Sequence, residues 1–500
     1  MASVTAINSK EEALRRSDQI YEKIVNNCLS SNRNFIDTQF RHNEHSVGLF
    51  PVSNAKKCEA PSGLQWIRAS EMKRRDGEEH PWQIFNNPQP SDIEQGSLIG
   101  DCWMMAAMSL IAARRDVLDG IIPRKQNSQI GSIFRLCIEG KWQAIIVDDF
   151  FPCFQDRDSS SIAVGRRNQL WVPLIEKAIA KALGSYSKLH GSSLIQGLSM
   201  MTGALCVDYK CPPVPRVDHD VEIFWAQLVS SKESGFLMCC LCRPSNNLSN
   251  DELNALGLVS SHAYSILDLA FEQGHMLLRV RNPWGRFVWN GRWADVWSGW
   301  PAKMKSAFVD KRCDETGAFW IELDDFMNVF KTITVCKLRM DWNEICVSLT
   351  VGRKSVFSKI RNELNITVTD PGEVSITAFL EDAFAKVEIM NEMTVCIHRK
   401  SENGKVKELL KMSTRVAFNH FVIDEFFLPI GQYLIESENH DVHPDLKGQG
   451  LQNLFNGSSI RPWHCMLLVK FGRGDVIHIM CRHLTCSACR RHMCVDDRKF

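Results

Sequence analysis

At 500 residues the chain exceeds what one hydrophobic core supports, so about two to four domains are expected. Its 44% hydrophobic and 23% charged content is ordinary for a folded soluble protein, and a formal net charge of +1 supplies no field that would draw it to nucleic acid or an anionic membrane. The apolar stretch at 103–113 is too short to cross a bilayer and residues 1–10 lack the apolar centre of a signal peptide, so a cytoplasmic location is expected. The 19 cysteines are spread along a long chain and are expected to be mostly reduced and buried.

Residues 1–33 read as an N-terminal helical segment, with Ala13, Leu14, Ile20, Ile24 and Val25 spaced among charges. Residues 34–205 begin with loops and continue with an apolar run of helical length starting at Cys102. A strand pair follows at 134–138 and 142–147, then a long helix over Trp171–Leu183 that aligns Ile175, Ile179 and Leu183 on one face. This segment is expected to be mostly helical. Residues 206–340 change to short strands at 235–242, 262–270, 276–281, 319–323 and 332–338, which predicts a mostly antiparallel sheet. The Pro-rich stretch 212–215 near the boundary reads as a stiff connection. Residues 341–480 alternate apolar stretches (365–368, 374–380, 387–389, 395–398, 418–423, 432–436, 466–471) with turn residues, and a β-sandwich is the simplest reading. A Cys-rich tail closes the chain at 481–500. The expected fold class is α+β.

The segment Gln95-Gly96-Ser97-Leu98-Ile99-Gly100-Asp101-Cys102-Trp103 sets a cysteine between a Gly-containing turn and a helix start. Unpaired N–H groups and the positive end of the helix dipole are expected to lower the thiol pKa there. A thiol nucleophile needs an imidazole to take its proton and a polar group to orient that imidazole. His262 in Ser261-His262-Ala263-Tyr264-Ser265 and Asn282 in Arg281-Asn282-Pro283-Trp284-Gly285 fit those roles. Gln95, with the backbone N–H of Cys102, is the candidate for holding an oxyanion, and Trp284 for shielding the Asn–His hydrogen bond from water. With Cys102 in the first half and His262 and Asn282 in the second, the site has to be assembled across a cleft, and cleft closure would switch it.

These three segments, in this order, resemble the protease core of the calpain family. The likeness extends through Phe35-Ile36-Asp37 with Phe40, Trp66-Ile67-Arg68, Leu170-Trp171-Val172-Pro173-Leu174-Ile175-Glu176-Lys177-Ala178 and Gly317-Ala318-Phe319-Trp320, covering roughly residues 34–340. Val147-Asp148-Asp149, Gln169-Leu170-Trp171 and the run from Gly285 to Gly291 are most similar to the non-classical, small optic lobes type. The resemblance implies a papain-like core of two subdomains, limited proteolysis of intracellular proteins, and a following calpain-type C2-like β-sandwich able to contact a lipid or protein partner. The zinc fingers and further domain usual in small optic lobes proteins are not recognisable, and without an EF-hand domain no small-subunit partner is expected.

Two departures bear on function. Six residues separate Gln95 from Cys102, one more than in the family pattern, with Ile99 the apparent insertion. An outward bulge that leaves Gln95 pointing correctly is the favoured reading; a damaged oxyanion hole would leave a scaffold. The family also implies calcium in each half. Asp92 and Glu176 correspond to the first site, whereas at the second only Asp295 matches. Val288, Ala318 and Thr316 replace acids there, and Asp314 and Glu315 would compensate only if their loop shifts. A calcium ion wants six to eight oxygens, so the second site is expected to be weak or absent. In the tail, Cys486 and Cys489 have C-x-x-C spacing, with Cys481, Cys494, His483 and His492 as possible further ligands, but reduced thiols are favoured over zinc. The expected activity is a cysteine endopeptidase acting on proteins. The weighed alternatives are a catalytically impaired calpain-like scaffold and acyl transfer to an amine.

Overall fold

The computed structural model describes residues 9–52, 56–58, 63–72, 82–123, 131–154, 162–243, 248–310, 316–351, 363–380, 392–412, 414–417, 420–440, 463–471 and 477–481. They form two compact units divided near Arg339, with residues 9–12 and 139–141 grouped with the later one. Both halves of the expected core fall within the earlier unit.

That unit is built around the helix Cys102–Ala112, in which every residue from Trp103 to Ala112 is buried. A helix that is apolar on all sides belongs at the centre of a domain. Trp171–Leu183 packs nearby and ends at Gly184, whose left-handed φ of +101° lets its N–H close onto Ala180 O and Lys181 O. Two shorter helices, Arg115–Ile121 and Leu194–Thr202, and the hairpin Ser132–Ile138/Lys141–Val147 complete this half.

The other half is a six-stranded antiparallel sheet in the order Ala318–Glu322, His275–Arg281, His262–Glu272, Leu237–Cys242, Phe330–Lys337, Leu205–Lys210. Alternation of side chains along the strands puts Tyr264, Ile266, Leu278, Val280, Phe319 and Ile333 on the face of one core. Four helices interrupt these strands: Asp218–Glu233, Asn250–Ala255, Ala302–Phe308 and Leu323–Val329. The sequence reading missed them because their apolar faces are narrow; in the 16-residue Asp218–Glu233 only Phe224, Trp225, Leu228 and Ser231 are buried. Asn250–Ala255 starts with a capping box, in which Ser249 and Glu252 each accept the other's backbone N–H.

The later unit holds two five-stranded antiparallel sheets, ordered Asn343–Val351, Trp463–Phe471, Gly372–Leu380, His420–Leu428, Thr414–Ala417 and Val406–Met412, Glu392–Lys400, Gly431–His440, Glu363–Val368, Ile477–Cys481. Ile376 and Val469 from the first share one apolar core with Ile366 and Ile435 from the second. The stretch at 387–389 and the tail residues His483, Cys486, Cys489, His492 and Cys494 lie outside the described residues, as do Asp314 and Glu315. Cys28, Cys102, Cys153, Cys206, Cys211, Cys239, Cys240 and Cys242 are free thiols, and among the described residues no helix is long and apolar enough to cross a membrane.

Candidate active site

Within 101–112 only Cys102 retains partial exposure, because the rest of its helix is consumed by the core. The backbone amides of Ala263, Trp103 and Cys102 itself are close enough to favour the charged form of its thiol. Ala263 follows His262 at the start of the strand His262–Glu272, which pairs His262 with Cys242 on one side and Ser265 with Arg281 on the other. Sheet register therefore sets the end of the Arg281 strand, and with it Asn282, beside the histidine.

His262 Nε2 lies 2.8 Å from Asn282 Oδ1. The same oxygen accepts the Trp284 backbone N–H at 2.9 Å, and Asn282 Nδ2 donates to Phe287 O at 3.0 Å. These partners assign the amide orientation: the oxygen faces two donors and the nitrogen a carbonyl. His262 must then carry its proton on Nε2, leaving the Nδ1 lone pair to receive another. The Trp284 ring lies over His262 at 4.3 Å and Tyr264 meets it edge-on at 5.2 Å. This apolar cover strengthens the Asn–His hydrogen bond by excluding water.

Burial pushes the His262 pKa down to about 4, opposed by the Asn282 hydrogen bond. It also pushes the Cys102 thiol above its ordinary value, helped by the neighbouring Asp101, while the amides of Ala263 and Trp103 pull the other way. The expected lowering by the helix N-terminus is thus outweighed by desolvation. Both directions favour an uncharged thiol and an uncharged imidazole at rest.

Gln95 is anchored on three sides. Its backbone N–H donates to Pro283 O at 3.3 Å, its Oε1 accepts Trp284 Nε1–H at 2.6 Å, and its Nε2 donates to Ile99 O at 2.9 Å. Ile99 is itself buried, so the extra residue turns its side chain inward and its carbonyl onto the Gln95 amide. Reaching an oxyanion requires that amide to release the carbonyl.

Behind the nucleophile, Asp101 and Glu176 are fully buried against one another. Glu176 Oε2 accepts the Ala163 N–H at 3.0 Å, whereas Glu176 Oε1 and both Asp101 oxygens receive no hydrogen bond from a conventional donor. A proton held between the two carboxyls turns one into the donor the site lacks. Burial accordingly raises Asp101 to about 7 and Glu176 well above its usual range, the latter also through the Asp101 charge.

The calcium carboxylates expected from the sequence have other partners. Asp92 closes the turn Pro90–Asp92 by accepting the Gln89 N–H at 2.7 Å, and its two oxygens take Arg167 Nε at 2.8 Å and Nη2 at 2.5 Å. Glu176 faces Asp101 instead of Asp92. Asp295 accepts Arg279 Nη1 at 3.0 and 3.3 Å. Among the described residues no group of three or more His, Cys, Asp or Glu is placed to hold a metal ion. In this arrangement the charges of Asp92 and Asp295 are each matched by an arginine.

Three residues inside the quoted motifs have roles that the sequence did not reveal. Arg281 is fully buried and crosses between the halves, with Nη1 on Ser109 Oγ (2.9 Å), Nη2 on Ile93 O (2.8 Å) and Nε on Thr316 O (3.1 Å). Ser265 Oγ donates to Ala106 O in the Cys102 helix at 2.8 Å. Gly317, at φ +80°, leaves no room for a side chain: a Cβ would stand 2.6 Å from Asn282 O and 2.7 Å from Gly285 Cα. A buried arginine beside a site motif was the available signal.

The sequence pattern described as "Calpain family cysteine protease" matches residues 35–337. The chain is 32% identical to Calpain-type cysteine protease ADL1 of Oryza sativa subsp. japonica, over 66% of this chain and 15% of the relative. It is 32% identical to Calpain-type cysteine protease DEK1 of Zea mays, over 63% and 15%, and 30% identical to the Calpain-1 catalytic subunit of Bos taurus, over 72% and 51%. The chain thus spans a small part of the plant relatives and about half of the bovine one. The cysteine at a helix start, the imidazole held by an asparagine and the matched segment agree, and the chain belongs to the calpain family of cysteine proteases.

Proposed function

We propose that this chain is a cysteine endopeptidase performing limited proteolysis of proteins in the cytoplasm. The observation that carries the reading is the His262–Asn282 hydrogen bond of 2.8 Å, set by sheet register next to the strand residue whose amide favours the charged form of the Cys102 thiol. In the reaction, the Cys102 thiol gives its proton to His262 Nδ1 as the sulfur adds to the substrate carbonyl carbon. His262 then passes that proton to the leaving amine, the C–N bond breaks, and an acyl-cysteine remains; water, deprotonated by His262, releases it. Asn282 fixes the imidazole and stabilises its transient charge. The Cys102 amide and Gln95, once released from Ile99 O, hold the oxyanion. The free thiols of Cys153, Cys206, Cys239, Cys240 and Cys242 support a reducing compartment, and the two-sheet unit after the core is proposed to act as a C2-like module for a lipid or protein partner. Purified protein and its Cys102→Ala variant, compared on an unfolded protein substrate, test the reading: cleavage only by the parent is expected, and equal cleavage by the variant would overturn it.

A further inference from the structure

The short turn from Gly165 to Gln169 sends two guanidinium groups in different directions. Arg167 and Asn168 both adopt left-handed backbone, at φ +58° and +52°, a conformation that surrounding structure must hold in place at about 1 kcal/mol or more per residue. It is held by Gln83 N–H on Asn168 O at 3.0 Å and Asn86 N–H on Gln169 Oε1 at 2.9 Å. Gly165 admits no side chain, since a Cβ would stand 2.1 Å from Gln169 O. Arg167 is spent on Asp92, as described above. Arg166 instead reaches both halves of the core: Nε lies 3.3 Å from Glu94 Oε2 and Nη1 lies 3.1 Å from Thr316 Oγ1.

Both anchors adjoin the chemistry. Glu94 precedes Gln95 in the chain. Thr316 and Gly317 form the turn beneath Asn282, where Gly317 O accepts the Asn282 N–H at 2.9 Å. Arg166 Nη2 also crowds Gly285, where a Cβ would come within 3.2 Å of it, so the guanidinium lies against the loop that presents Asn282 and Trp284.

We propose that Arg166 is a positioning residue that fastens the Glu94–Gln95 segment to the Thr316–Gly317 turn with a fixed cation, so that the site is assembled without calcium. The proposal rests on the protease reading for its kinetic consequence but not for the fastening itself. Two strained residues and a glycine with no room for a Cβ are a specific device for aiming this side chain. The carboxylates that would attract a calcium ion, Asp92 and Asp295, are paired with Arg167 and Arg279 in the same structure. Arg281 and Ser265 add further bonds between the halves.

The test compares the purified chain with Arg166→Ala and Arg166→Lys in excess chelator and in millimolar calcium, reading kcat and KM on an unfolded protein, the melting temperature, and amide exchange over 282–285 and 316–318. The parent should cleave equally in both buffers and melt at the same temperature. Arg166→Ala should lose about tenfold in kcat with KM little changed and exchange faster over both segments; Arg166→Lys, which keeps the charge without the two-armed geometry, should recover part of each. Activity that appears only with calcium, or a melting temperature raised by calcium, would overturn the calcium-free assembly. Unchanged kcat and exchange in Arg166→Ala would overturn the positioning role. If the parent cleaves nothing in either buffer, the protease reading falls, and exchange still decides the fastening: faster in Arg166→Ala keeps it, unchanged removes it.

Discussion

The buried acid pair behind the nucleophile gives a sharp stability prediction. In the unfolded chain Glu176 ionises near its ordinary value of 4.5, whereas in the fold its pKa is raised well above that by burial and by Asp101. A raised carboxyl favours the folded state fully only below the unfolded pKa, and that contribution is lost as pH rises toward the folded pKa. While the folded protein keeps a proton that the unfolded chain has released, stability falls by about 1.4 kcal/mol per pH unit. Glu176→Gln removes that proton difference. The amide is of similar shape, its oxygen can still accept the Ala163 N–H, and its NH2 can donate to Asp101, whose oxygens lack a conventional donor. Relative to the parent, the variant should therefore gain about 2–3 kcal/mol between pH 5 and pH 7. Urea unfolding of both proteins in a Cys102→Ala background, which prevents self-cleavage, measures the difference at each pH. A difference that is flat with pH, or that moves against the variant as pH rises, would mean that Glu176 is ionised in the fold and that the shared-proton argument is wrong.

Two further outcomes follow from the site. Because the imidazole must be neutral to accept the thiol proton and its pKa is lowered to about 4, the acid limb of kcat/KM should fall near pH 4 instead of 6.5. The unfolded chain takes up a proton at this position below pH 6.5 that the fold refuses until about pH 4, so the contribution of His262 to stability, opposite in sign to that of Glu176, should decline by about 3 kcal/mol as pH falls through that window; an acid limb near 6.5 would show that His262 is not desolvated as described. Gln95→Ala should lower kcat about a hundredfold, the usual scale for one oxyanion donor, with KM nearly unchanged, and a loss below threefold would mean that the Ile99 carbonyl never releases the amide.

Three local motifs, together with the family they resemble, carried the reading of Cys102, His262 and Asn282. The residue types at Cys102, His262 and Asn282, the helix start at the cysteine and the strand beginning at His262 are short-range features, because a helix start or a period-2 strand is encoded within a few residues. The Trp171–Leu183 helix was legible for the same reason, its apolar face repeating every turn. What the sequence did not decide was which charges would meet. The family resemblance makes Asp92 and Glu176 partners, but chain path gives one to Arg167 and buries the other against Asp101. Whether a helix dipole or desolvation governs Cys102 likewise depends on how much protein surrounds the sulfur. Pairings such as Arg166 with Thr316 or Arg281 with Ser109 join residues more than a hundred positions apart. No local pattern encodes them, since they exist only where packing of the two halves removes water and leaves each donor a single acceptor within reach.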